Sequence, residues 1–263
     1  MNKHKVTIVT SVCRASHFMA GLLENVVSQT AFTQCEWVLL DVNIPANIDY
    51  MELILRYMQD YPNICYERLL GPDPGVYAVW NKAIRCTDSD YITNWNCDDR
   101  RHPDSIEKQI DFFDQNPDTD LLYNDQYWHS TPNWVYWDER YGGVDPYPIY
   151  HATNGDVDQP PKPEYSLEAM QSNLPHNDPI WRRDLHEKFG FFREDTITVA
   201  DHEFWLRCAT RGSKFAKMND IMGVYYRNPD GISTRGNNQE QIAAETARVI
   251  WPIAENIRNG VYK

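Results

Sequence analysis

Two adjacent carboxylates follow an apolar run in Tyr91-Ile-Thr-Asn-Trp-Asn96-Cys-Asp98-Asp99. At the end of a strand, such a pair can hold a hard divalent cation through oxygen and leave positions for substrate phosphates. The same residues also suit a turn ahead of Arg100, Arg101 and Pro103. A third carboxylate, Asp201, opens the segment Asp201-His202-Glu203-Phe-Trp-Leu-Arg. It could serve as a general base, which needs only hydrogen-bond reach to an acceptor hydroxyl. It could equally cap the helix it begins, where the helix dipole also favours Glu203. A Gly/Pro loop, Gly71-Pro-Asp-Pro-Gly75, runs into a helix bearing Tyr77, Asn81 and Lys82. That helix start and Lys82 could face an anion, or be an ordinary turn beside a surface lysine. The chain has neither a P-loop nor a GxGxxG fingerprint, and its histidines lack metal-ligand spacing.

Composition narrows the partners. With 25 basic and 38 acidic side chains the formal charge is −13, which argues against nucleic acid, whose phosphates are bound by Lys and Arg. Nine Trp and sixteen Tyr suit stacking on sugar C–H faces, and suit a packed core equally. The six cysteines form no CxxC pair, and the opening residues run straight into an apolar strand without a leader pattern. The expectation is therefore reduced thiols and a cytoplasmic protein, with peripheral membrane attachment left open and no transmembrane segment.

These groups need elements to hold them. Apolar periodicity predicts strands over 6–12, 36–41, 64–69, 91–95 and 120–124, separated by helices over 18–29, 50–59, 76–85 and 103–115. Strands alternating with helices imply a mostly parallel sheet, which binds ligands beyond the carboxyl ends of its strands. The residues at those ends are Thr10, Ser11 and Arg14, then Asp41 and Asn43, then Asn96, Asp98 and Asp99. Residues 126–164 are rich in aromatics, Pro and Gly without a sustained period, and read as a functional excursion. A strand ending near Trp181, helices over 184–189 and 201–211, a strand over 222–227 and a final helix over 239–257 complete the chain.

In their order, these segments resemble a family 2 glycosyltransferase of the GT-A fold. The segment Val6-Thr-Ile-Val-Thr-Ser-Val resembles the family's opening strand, and Glu36-Trp-Val-Leu-Leu-Asp41 its second. Gly75-Val-Tyr77-Ala-Val-Trp-Asn81-Lys82 resembles its Asn-Lys helix, and Asn96-Cys-Asp98-Asp99 its metal-binding DxD segment. Ile180-Trp181-Arg-Arg resembles an Arg-Arg…Gly-Phe segment, and Ala200-Asp201-His202-Glu203-Phe-Trp-Leu-Arg the helix start carrying the base. Three positions depart from the pattern: the Asn of the first loop is replaced around Cys13-Arg14, position 96 is Asn, and position 200 is Ala.

The resemblance implies an α/β fold with a Rossmann-like, mostly parallel sheet flanked by helices and a C-terminal acceptor-side region. Residues 1–125 would bind the nucleotide sugar, and 126–263 of the same domain would bind the acceptor and carry the base. It implies inverting transfer from a nucleotide-diphosphate sugar, most often a UDP-sugar, to a glycan or glycolipid hydroxyl. Mn2+ or Mg2+ would sit on Asp98 and Asp99, and Asp201 would be the base. Thr10, Ser11, Arg14, Asp41, Asn43, Tyr77, Asn81, Lys82, Asn96, Asp98 and Arg227 would meet the donor. Trp128, Trp181, His202 and Glu203 would meet the acceptor, with the aromatic excursion over 127–150 as a platform. The alternatives are a sugar-nucleotidyltransferase and a non-catalytic carbohydrate-binding protein.

Overall fold

The computed structural model describes residues 3–43, 48–138, 143–144 and 161–262. In the first half, β1 (Val6–Val12), β2 (Cys35–Asp41), β3 (Ile64–Arg68) and β4 (Tyr91–Asn94) alternate with α1 (Met19–Val27), α2 (Ile48–Asp60) and α3 (Val76–Cys86). A two-residue β5 (Arg100–Arg101), α4 (Ser105–Gln115) and β6 (Leu121–His129) follow. A small hairpin, β7 (Trp137–Asp138) with β8 (Gly143–Val144), precedes β9 (Ile180–Arg182), α5 (Asp184–Phe189), α6 (Ala200–Ala209) and β10 (Phe215–Tyr226). Two helices, α7 (Gln239–Glu245) and α8 (Trp251–Arg258), close the described chain.

The main sheet has the order β3-β2-β1-β4-β9-β6-β10-β5 among the described residues. Neighbours are parallel except β9, antiparallel to both β4 and β6, and β5, antiparallel to β10. Helices cover both faces, so the strands read as continuous apolar runs rather than clean alternations. The pleat still separates them. In β1 and β2, Ile8, Trp37 and Leu39 pack with α1, α2 and α4, while Val9, Val38 and Leu40 pack on the other side with α3 and α6.

Three element bounds differ from expectation for physical reasons. Strand β10 begins at Phe215 rather than Met222, because a bulge around Asn219 and Asp220 breaks the apolar period without ending the pairing with β6. Strand β6 runs on to His129, into the start of the aromatic excursion. The final helix is interrupted by a π turn at Thr246–Ile250, just before Pro252, which has no amide hydrogen to give the preceding turn. In the excursion, Trp134 stacks on His129 with ring centroids 4.1 Å apart, and the Tyr136 hydroxyl donates to the Ile221 carbonyl at 2.6 Å. This described part is packed cover; residues 139–142 and 145–160 of the excursion, among them 139–142 and 145–150 of the proposed acceptor platform, lie outside the described residues. No helix among the described residues is long and apolar enough to cross a membrane.

One core histidine makes folding pH-dependent. His186 is 3% exposed, stacks on Phe204 at 4.6 Å, and accepts a hydrogen bond from Trp181 Nε1 at 3.0 Å. Burial lowers its pKa from 6.5 to about 3, so it is neutral in the folded chain and takes up a proton on unfolding. The unfolded state then binds the extra proton between those two values, and stability falls as pH drops through that window. The slope approaches about 1.4 kcal/mol per pH unit from this group. Urea denaturation at several pH values from 7 to 4 should show that slope, and His186→Gln should flatten it by one proton.

Candidate active site

The loops at the carboxyl ends of β1, β2, β4, β6 and β10 form the site, together with the loop entering β9. That last loop reaches the same edge because β9 runs opposite to its neighbours. The chain leaving β4 crosses to pair as β5 with β10, which brings Asp98 and Asp99 against the end of β10.

Asp99 is 6% exposed and fully engaged by protein donors. Its Oδ2 accepts from Asn96 Nδ2 at 2.9 Å and Asn177 Nδ2 at 3.0 Å, and its Oδ1 from the Tyr226 amide at 3.1 Å. Burial, then the charge of Asp98, pushes its pKa well above the ordinary carboxylate value, with the Asn96 and Tyr226 donors opposing. Asp98 is the outward carboxylate of the pair. Its Oδ2 accepts from Asn228 Nδ2 at 2.8 Å, and its Oδ1 accepts from none of the described residues. The two carboxylates differ in geometry: Asp98 faces the rim and Asp99 braces the loop. Among the described residues no three His, Cys, Asp or Glu side chains converge as a complete metal cage.

Asp201 does not cap α6. Val199 holds the N-cap position without a side-chain bond, and the amides ahead of the helix are satisfied from outside it. Glu245 of α7 accepts from the Ile197 and Thr198 amides at 2.9–3.1 Å. Asp201 is half-buried and meets side chains of other elements. Its Oδ1 accepts from the Tyr77 hydroxyl and its Oδ2 from Asn173 Nδ2, both at 2.8 Å. Burial and the Asp201 charge raise the Tyr77 pKa far above its usual value, so its hydroxyl stays protonated and donates to Asp201.

A third cluster lies at the ends of β1 and β2. Asp41 accepts from the Asn43 amide at 2.8 Å, Asn43 Nδ2 at 2.7 Å, Tyr50 at 3.2 Å and Tyr66 at 2.7 Å. Asn43 Oδ1 in turn holds the amide of Arg14, whose φ of +53° is left-handed. Ser11 lies half-buried beside them. The structure thus groups Arg14, Asp41 and Asn43.

Several expected contacts are corrected by burial and pairing. Thr10 is fully buried and accepts from Trp37 Nε1, and Asn81 is fully buried, clamping the Phe192 backbone and Glu194. Neither reaches a ligand from there. Trp181 is 1% exposed in the core against Trp205, and Glu203 is held by Arg207, so neither forms an acceptor wall. Lys82 is ion-paired with Glu67, and Tyr77 hydrogen-bonds Asp201. His202 gives its Nε2 proton to the Met170 carbonyl at 2.9 Å, and burial lowers its pKa. Trp128 is half-buried and stacked on His176; Arg227 is exposed beside Asn228, with no ion pair among the described residues.

The residues missed by sequence reading lie in Asn173-Leu-Pro-His176-Asn177-Asp178 and at Asn228. Asn173 holds Asp201, Asn177 holds Asp99, and Gln126 binds His176 at 2.8 Å. Two asparagines in a Pro-bracketed turn leading into a strand were the available signal.

The sequence model described as glycosyl transferase family 2 matches residues 7–193. An uncharacterized glycosyltransferase of Methanocaldococcus jannaschii is 25% identical over 275 aligned residues, spanning this whole chain and 84% of the relative. Protein CgeD of Bacillus subtilis is 24% identical over 240 residues, covering 87% of this chain and 51% of CgeD. Among solved structures, S. aureus TarS 1-349 in complex with UDP-GlcNAc superposes with a TM-score of 0.65 at 15% identity, over 88% of this chain and 61% of that one. A mannosyltransferase of Pyrobaculum calidifontis in complex with GDP-Man and Mn2+ gives 0.65 at 14% identity, over 98% of this chain and 65% of that one. The fold is therefore of the GT-A type.

The two asparagines at the paired carboxylates should differ sharply in their effect on stability. Asn177→Ala leaves buried Asp99 short of a donor and should cost about 1–3 kcal/mol in chemical denaturation. Asn228→Ala exposes Asp98 only to water and should stay within about 0.5 kcal/mol.

Proposed function

The chain belongs to glycosyl transferase family 2, and on that premise we propose that it transfers a sugar from a UDP-sugar to a hydroxyl of a glycan or glycolipid, with inversion at the anomeric carbon. The observation that carries this reading is one short segment serving two carboxylates at the same sheet edge. Asn173 orients Asp201 and Asn177 braces the Asp98-Asp99 loop. A proton acceptor and an anion-handling carboxylate are thereby held in register across a cleft.

Asp201 takes the proton of the acceptor hydroxyl as that oxygen attacks the anomeric carbon. The bond from that carbon to the diphosphate oxygen breaks, and the diphosphate leaves with the electron pair. Tyr77 and Asn173 both donate to the Asp201 carboxylate, which keeps its oxygens aimed while its charge changes. The base and ribose of the donor lie at Ser11, Arg14, Asp41 and Asn43. Arg227, exposed next to Asn228, supplies positive charge toward the diphosphate.

Asp98 offers one carboxylate oxygen at the rim, with Asn228 beside it. Hard oxygen donors in so small a number fit Mn2+ or Mg2+ bound largely through phosphate oxygens and water. Asp98 would hold that ion and Asp99 would brace its loop. When bound, the ion supplies countercharge to the departing diphosphate.

Two measurements test the assignment. Asp201→Asn should retain UDP-sugar binding in a thermal-shift assay while transfer falls about 10²–10⁴-fold; undiminished turnover removes Asp201 as the base. Asp98→Ala should abolish the additional thermal protection that Mn2+ gives with UDP. If that protection persists, the ion is held elsewhere.

A further inference from the structure

We propose that the groove between α6 and the C-terminal helices is the acceptor subsite, and that it takes a neutral pyranoside laid against Trp251. This rests on the glycosyl-transfer reading above. The groove encloses about 540 Å³, within the range typical of small-molecule sites, and its walls include Gln171, His202, Ile250, Trp251, Glu255 and Arg258. Trp251 is 61% exposed, whereas Trp37, Trp95, Trp181 and Trp205 are all buried in the core. An indole left open in a concave wall beside Ile250 and Ala254 offers a flat apolar face for sugar C–H groups.

The polar groups match the same ligand. Glu255 and Arg258 stand on one helix as opposite charges, and neither enters an ion pair among the described residues. Together they add no net charge but present an acceptor and a forked donor, which suits hydroxyls rather than a phosphate or a charged peptide. The Trp251 backbone sits at the junction of the π turn and the Pro252 turn. The groove reaches His202, the chain neighbour of Asp201. His202 follows Asp201 and is fixed on the Met170 carbonyl, and Gln171 lies two residues before Asn173, which donates to Asp201. A sugar on Trp251 can therefore present a hydroxyl toward the Asp201 side.

Saturation-transfer NMR with methyl glycosides of glucose, galactose, mannose and N-acetylglucosamine tests the site. At least one should take up saturation from the unaltered chain and from Asp201→Asn. Binding should weaken about tenfold in Trp251→Ala, the scale of a lost aromatic contact, and return in Trp251→Phe. The proposal is overturned if no glycoside binds the unaltered chain, if Trp251→Ala binds equally well, or if Trp251→Ala instead lowers the mass in light scattering, which would make the groove a protein interface. A nucleotide-sugar titration of the unaltered chain separates the two readings: failure there removes the transferase reading, while success with no effect at Trp251 removes only this one.

Discussion

The site depends on a carboxylate that is almost wholly buried. Burying an ionised Asp costs several kcal/mol unless hydrogen bonds replace its water. Asp99 obtains them from three separate parts of the chain: Asn96 in its own loop, Asn177 before β9, and the Tyr226 amide at the end of β10. Satisfying one side chain therefore forces three strand ends to converge. The neighbouring residue is then turned outward, and Asp98 stands at the rim. The two adjacent acids differ because one side of the loop is protein and the other is cleft.

The same economy of charge runs behind the site. Arg101 is 1% exposed and lies 4.6 Å over the Trp95 ring, and its guanidinium reaches Thr93 Oγ1 and the carbonyls of Asn94 and Asn177. Lys162 reaches the Pro175 carbonyl and lies 4.0 Å from Asp178, while Lys217 pairs with Asp125 at 3.0 Å. Burial lowers the pKa of both Arg101, to about 10, and Lys162. Each cation is matched to buried acids, and two of them grip the carbonyls of the segment that carries Asn173 and Asn177. A chain of formal charge −13 thus keeps a row of buried cations behind the Asp98-Asp99 loop, where they act as fasteners.

Much of the frame was legible because its signal is local. The strand over 6–12 and the helix over 184–189 match the observed bounds, since apolar period and turn residues agree there. The carboxylates at strand ends were legible for the same reason. What escaped was long-range direction. Nothing in Ile180-Trp181-Arg182 reveals that β9 runs against its neighbours, and that reversal is what places Asn173 and Asn177 at the site edge. Burial was equally hidden: Asn81 and Trp181 have the right residue types for ligand contact, yet the packing of α3 and α6 over the sheet encloses both.

Asp201 and the C-terminal helices are linked through the loop that enters α6. Helix α6 begins without a side-chain cap of its own, and the Ile197 and Thr198 amides of the loop ahead of it need partners. Glu245 fills that need from α7, with both oxygens on Ile197 and one also on Thr198, and its negative charge suits the positive end of the helix. Asp201, the second residue of the helix, turns its own oxygens to Tyr77 and Asn173. The π turn that follows Glu245 directly then leads into Trp251, so the residue that holds the loop ahead of Asp201 also opens the turn leading to the wall of the adjoining groove. Any shift of α7 would be felt at both.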